Sequence, residues 1–279
     1  MAPIAPIDAL LIALAAVWGA LAGAVLPRAV YRFSVELQDV EPQDAELQDA
    51  ELQDVEPQDV EPQDTGDDAG WRRGCPEGHP LRGWLGPARC PGCPATSPPY
   101  GSGALRLSLV TSVLCVGLAL ATGIRPELAV WLLLAPVGVL LAAVDLRVKR
   151  LPDPLTLPLA AVALTLLGVA VLLPEHAGDW TTALLGTLAL SGGYLVLHLI
   201  NPGGMGFGDV KLALGAGAVL GWYGWATVML GTLAAFLSGA LYGGALLLAR
   251  RAGRRTAIPF GPFLIAGAYA GVLMGAYAA

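Results

Sequence analysis

The chain has 279 residues, of which 55% are hydrophobic and only 14% are charged. Soluble domains carry about a quarter charged residues, so this composition excludes an ordinary soluble globular enzyme and points to a membrane protein. The formal net charge of −6 is a local effect: fourteen acidic residues lie between positions 36 and 68, the rest of the chain is basic, and no nucleic-acid partner is expected.

Eight apolar stretches approach the roughly 20 residues that a bilayer requires. They are 9–25, 105–122, 128–144, 155–173, 180–200, 210–225, 226–249 and 260–278. The sixth is the shortest and is rich in glycine (Gly215, Gly217, Gly221). The expected fold is an all-α polytopic membrane protein of about eight transmembrane helices, with a small cytoplasmic loop domain between the first two. Its parts read as a first helix (1–30), an acidic repeat expected to be disordered (31–70), a Cys/His loop (71–104) and a seven-helix membrane domain (105–279). Asp8 precedes the first span while Arg28 and Arg32 follow it. This reverses the charge order of a signal peptide, and the span reads as a retained helix.

Lysine and arginine orient the chain. With the N-terminus outside, the segments 26–104, 145–154, 201–209 and 250–259 face the cytoplasm. Together with Arg106 and Lys211 at the mouths of neighbouring spans, they hold every basic residue except Arg125. This is a positive-inside pattern. It implies a multi-pass protein of the inner (plasma) membrane with the lipid bilayer as its surroundings and almost no domain outside.

Six copies of a pentapeptide, from Glu36-Leu37-Gln38-Asp39-Val40 to Glu61-Pro62-Gln63-Asp64-Thr65, make up the acidic segment. A period of five matches neither helix nor strand. With proline in three copies and two like charges in each, the repeat should stay extended. It reads either as an acidic tether for a basic partner or as an expanded linker without catalytic consequence.

Cys75 and His79, followed by Cys90 and Cys93, bring thiolate and imidazole groups together from two short turns, as a small tetrahedral zinc site does. The alternative is a Gly/Pro-rich loop with incidental thiols. Cys115 falls in the middle of the second span and reads as a small buried apolar residue.

Two aspartates stand where apolar runs end. Asp145 closes the third span just before Arg147, Lys149 and Arg150; Asp209 opens the sixth after Gly203-Gly204-Met205-Gly206-Phe207-Gly208. The topology puts both at the same depth and on the same side. Ionisable residues at such positions are functional by default. Two close carboxylates share a proton, one activating water while the other polarises a scissile carbonyl. The alternative pairs Asp145 with Arg147 or Lys149 and leaves Asp209 near a helix N-terminus, where an acid is favoured.

Several segments resemble type IV prepilin peptidases, intramembrane aspartyl proteases of the GxGD type. The stretch from Asp145 to Leu151-Pro152-Asp153 is similar to their D-x7-D segment, and Gly206-Phe207-Gly208-Asp209-Val210-Lys211-Leu212 to their G-x-G-D-x-K-L motif. Ile258-Pro259-Phe260-Gly261-Pro262-Phe263 resembles the opening of their last helix, and 19–32 with the cysteine loop echoes their N-terminal region. The resemblance implies that Asp145 and Asp209 are the catalytic pair, supported by Gly206, Gly208, Lys211 and Asp153. It also implies that basic leader peptides are cut from prepilins or pseudopilins at the cytoplasmic membrane face without a cofactor for proteolysis. N-methylation with S-adenosylmethionine is implied where the methyltransferase activity is retained. The chain departs from the pattern at Gly78, where a further cysteine is expected, and in the repeat that interrupts the N-terminal region.

An ion-coupled transporter using Asp145 and Asp209 is the competing function, although transporter sites lie near the midplane. A membrane-embedded interaction protein would explain the repeat but not the aspartates. Asp153 is expected to shape its turn, Lys211 to neutralise a carboxylate or snorkel, and His198 to sit satisfied at a helix interface. Trp222, Tyr223 and Trp225 read as an interfacial aromatic belt. Because the repeat carries no helix or strand period, deleting 36–64 is expected to leave leader removal within a few-fold of the parent. Complete loss of cleavage with normal membrane insertion would place the repeat in the machinery.

Overall fold

The computed structural model describes residues 6–35, 71–94, 97, 99–100, 103–249 and 258–279. The acidic repeat and the basic cluster Arg250, Arg251, Arg254 and Arg255 lie outside the described residues. Among the described residues the fold is eight helices, and the extended contacts amount to an isolated bridge between Gly74 and Pro80. The helices are α1 (Pro6–Phe33), α2 (Ala104–Thr122), α3 (Glu127–Val148), α4 (Asp153–Ala170), α5 (Trp180–Ile200), α6 (Phe207–Gly221), α7 (Trp225–Leu248) and α8 (Gly261–Ala278).

Seven of these helices are long and apolar enough to cross a membrane. Leucines and valines such as Leu109, Val113, Leu188, Leu199 and Leu233 stay exposed on them, which in a bilayer means facing lipid rather than water. The exception is α6. Its 15 residues reach about 22 Å at 1.5 Å per residue, short of the roughly 30 Å hydrocarbon core. The expected span 210–225 is thus replaced by a shorter helix that begins earlier, at Phe207. Its length is tolerable because it packs inside the bundle, against α4, α5, α7 and α8, rather than against lipid alone.

Small residues set the helix spacing. A Cβ at Gly186 on α5 would lie 2.7 Å from the Gly217 carbonyl oxygen on α6, and one at Gly19 on α1 would lie 2.7 Å from the Thr111 oxygen on α2. With lipid tails as apolar as leucine, close van der Waals packing of backbones is what holds such pairs together. Several threonine hydroxyls in the spans are satisfied within their own helices. Thr111, Thr187 and Thr232 donate to the carbonyls of Leu107, Ala183 and Val228.

At the end opposite the aspartates, the buried Glu127 accepts a hydrogen bond from the Ala177 N–H at 3.2 Å and ties the α4–α5 loop to α3. The aromatic belt is corrected here. Trp222 is 1% exposed because Gly178 leaves room for its indole, and Tyr223 takes a hydrogen bond from Trp131 Nε1 at 3.2 Å. Of the three, only Trp225 is exposed.

Gly186→Leu is expected to force α5 from α6 and to destabilise the fold by about 1–3 kcal/mol or more, as overpacking does. The check is the thermal unfolding midpoint in detergent; an unchanged midpoint would contradict this packing.

Candidate active site

The last turn of α3 positions Asp145. Lys149 stops the helix in the left-handed conformation (φ 54) and donates its N–H to the Asp145 carbonyl at 2.8 Å. The chain then runs through Leu151-Pro152 and enters α4 at Asp153. The Asp145 side chain is 4% exposed and turns into the bundle, where its Oδ2 accepts the Gly261 N–H at 3.0 Å. That donor belongs to the first residue of α8, so a helix N-terminus faces the carboxylate. Glycine is required there: a Cβ at 261 would lie 2.7 Å from Asp145 Oδ2.

Asp209 lies in the first turn of α6, two residues inside the helix start, and is 7% exposed. Its backbone N–H donates to the Gly206 carbonyl at 3.1 Å, which fixes how the glycine segment enters the helix. At Gly208 a Cβ would lie 3.1 Å from the Leu151 Cβ. Leu151, itself buried, is therefore wedged between the start of α6 and Gly261 at the start of α8. The two glycine positions let three chain segments converge on Leu151. Two aspartates 64 positions apart in sequence are in this way brought to one buried spot at one end of the bundle.

The supporting candidates fall in different places. Lys211 Nζ pairs with Asp153 Oδ2 at 2.6 Å and lies over the Phe207 ring. It ties α6 to the first residue of α4 instead of neutralising Asp209. Gly206 caps α6, and a Cβ there would make ordinary contact with Asp209 Oδ2. His198 is half-buried beside Phe207, with Nδ1 2.8 Å from the Met205 carbonyl oxygen, as expected of an interface histidine.

Sequence reasoning missed Tyr194 of α5. It is 1% exposed, its ring packs on Phe236 and Phe260, and it shares a buried cluster with Val210, the neighbour of Asp209. The one signal available was a lone tyrosine in an apolar span. An apolar cavity of about 120 Å³, lined by Leu212, Gly215 and Ile265 among others, lies further along the bundle. It contains no carboxylate, and the polar chemistry sits at the bundle's end.

The Cys/His loop packs on the end of α1 at the same end of the bundle. Arg28 and Arg32 donate to the carbonyls of Arg82 and Gly83, and Arg32 stacks 3.9 Å from the Trp84 ring centroid. Ligand atoms of Cys75, His79, Cys90 and Cys93 all lie within 4.8 Å of one another. Cys75 Sγ is 3.7 Å from Cys93 Sγ and 3.5 Å from His79 Nδ1, and Cys93 Sγ is 3.4 Å from that nitrogen. Ligands bound tetrahedrally at about 2.3 Å (sulfur) and about 2.0 Å (nitrogen) are separated by about 3.5–3.8 Å, so these groups fit one metal ion. Burial pushes the Cys75 thiol up, but hydrogen bonds from His79 and from the loop backbone outweigh this and lower it overall. Burial and the neighbouring thiols raise Cys93.

A family model described as the type IV leader peptidase family matches residues 131–244, a span containing both aspartates. The chain is 36% identical over 210 residues to a prepilin leader peptidase/N-methyltransferase of Aeromonas hydrophila, covering 71% of this chain and 67% of that protein. It is 34% identical over 216 residues to the protein of the same name from Xanthomonas campestris pv. campestris, covering 72% and 67%. A Burkholderia pseudomallei protein of that name is 33% identical over 226 residues, covering 73% and 67%. No solved structure matches. With this extent of similarity and a multi-pass helical bundle, the chain belongs to the type IV leader peptidase family.

Proposed function

We propose that this protein is an aspartic endopeptidase of the inner membrane that removes the basic leader peptide from prepilins or pseudopilins. The observation that carries the reading is the convergence of Asp145 and Asp209, both nearly fully buried, from the end of α3 and the start of α6. The positive-inside pattern supports a cytoplasmic position for this end of the bundle. A transporter reading gains nothing from the fold, because both carboxylates sit at helix ends and not at mid-span.

Two carboxylates in mutual reach hold one proton between them, since both charges together are unfavourable in a buried site. The ionised member takes a proton from water as the water oxygen bonds to the scissile carbonyl carbon. The protonated member gives its proton to the carbonyl oxygen, forming a gem-diol. On collapse one gem-diol hydroxyl gives its proton to the ionised carboxylate and re-forms the carbonyl, while the C–N bond breaks and the leaving amine takes the proton held by the other carboxyl, so the pair again holds one proton. The Gly261 N–H fixes Asp145 through one oxygen, leaving its other oxygen for this exchange. The proton balance closes over water, the peptide and the two carboxylates.

Zinc is the ion that the Cys75, His79, Cys90 and Cys93 set suits, because thiolates and imidazole in tetrahedral spacing are its preferred surroundings. It would brace the loop against α1. N-methylation of the new N-terminus, with S-adenosylmethionine as donor, is the second activity carried in the relatives' name. In this chain the acidic repeat interrupts the region that the resemblance links to it.

Asp145→Asn and Asp209→Asn are each expected to cut leader removal from a co-expressed pilin-like protein by about 10²–10⁴-fold at matched accumulation. Asp153→Asn should keep substantial activity, because its ion pair with Lys211 is partly exposed and such pairs contribute only about 0–1 kcal/mol. Intact mass of the substrate reads both activities: loss of the leader reports the peptidase, and one added methyl reports the transferase. Normal processing by Asp209→Asn would remove the catalytic assignment.

Elemental analysis of the purified protein is expected to find one zinc per chain, and none in the Cys90→Ser/Cys93→Ser variant. Equal zinc in both would refute the site, and a chelator that abolishes cleavage outright would refute its bracing role.

A further inference from the structure

Most buried hydroxyls inside the spans have a partner. Thr111 and Thr187 bond their own helices, Tyr269 donates to the Leu114 carbonyl at 3.2 Å, and Tyr223 accepts from Trp131. Among the described residues, the buried side-chain nitrogens and oxygens without a partner belong to Arg28, Tyr100, Thr122, Glu127, Tyr194 and Trp222. Arg28 and Tyr100 lie at the Cys/His loop, and Thr122, Glu127 and Trp222 at the far end of the bundle. Of these six, Tyr194 is the one that packs at the aspartates' end of the bundle, against Phe260 and in the same buried cluster as Val210.

The placement of Tyr194 is specific. Phe260, against which its ring packs at 6.0 Å between centroids, is the residue immediately before Gly261, the donor to Asp145. Phe236 of α7 packs on the same ring at 5.7 Å. Val210, the neighbour of Asp209, belongs to the same buried cluster. Two aromatic rings thus fix the phenol ring, while its hydroxyl is buried without a partner at the end of the bundle that holds the aspartates. A buried phenol with no partner is unfavourable, an arrangement that makes sense when a partner arrives with the substrate.

We infer that the Tyr194 hydroxyl is a catalytic hydrogen-bond donor to the oxygen of the scissile carbonyl as that oxygen gains charge. This rests on the reading of Asp145 and Asp209 as the catalytic pair. Tyr194 keeps its proton throughout: the proton transfers run between water, the carboxylate pair and the peptide, and the phenol O–H only bonds the oxygen that becomes the gem-diol hydroxyl. A donor aimed at developing charge acts mainly on the transition state, so it should govern turnover more than substrate binding.

The test is Tyr194→Phe, which keeps the ring and removes the oxygen. It is compared with the parent and with Asp209→Asn on a pilin-like substrate in the same detergent, with kcat, KM and thermal midpoint measured for each. The expected result is a kcat reduced on the order of a hundredfold, with KM and midpoint close to the parent and Asp209→Asn inactive. Parental kcat in Tyr194→Phe beside an inactive Asp209→Asn overturns the role of Tyr194 alone. An active Asp209→Asn overturns the carboxylate pair and this inference with it. Failure of Tyr194→Phe to accumulate, or a midpoint that falls with kcat, assigns the hydroxyl to folding and also overturns the inference.

Discussion

Two carboxylates buried at one end of an apolar bundle are the constraint around which the fold is arranged. A charge taken out of water is unfavourable by several kcal/mol unless it is compensated. The lysine closest to Asp209 in sequence, Lys211, is engaged by Asp153 instead. Asp145 is compensated by the Gly261 N–H at a helix N-terminus, and both aspartates lie at the bundle's end rather than its middle. This arrangement depends on close approach. Gly261 and Gly208 supply it, and Leu151 fills the space between.

The bundle provides that approach with backbone contacts. Pairs such as α5 with α6 meet at Gly186 and Gly217, too close for any side chain. Such contacts fix α6 inside the protein, and a helix fixed on several sides can be short and can begin with a glycine segment.

Much of this was legible in the sequence because charge is rare there. With so few ionisable residues in the spans, Asp145 and Asp209 stood out, and span counting placed them on one side. The Cys75, His79, Cys90 and Cys93 grouping was equally readable from its spacing. What stayed hidden depends on rotation about helix axes, which an evenly apolar sequence does not encode. Tyr194 could have faced lipid, Trp222 could have sat at the interface, and Lys211 could have turned to Asp209 rather than Asp153. Helix faces are chosen by packing of small against large residues, as Gly178 admits the Trp222 indole, and that choice is visible only in three dimensions.

The central claim is that Asp145 and Asp209 act as one proton-sharing unit. The most direct measurement is a double-mutant cycle on leader removal, with Asp145→Asn, Asp209→Asn and the combined variant assayed to the detection limit at matched accumulation. Groups that act as a unit are strongly non-additive, so the combined variant should be little slower than either single one. A combined loss equal to the product of the two single losses would show that the aspartates act independently and would contradict the claim.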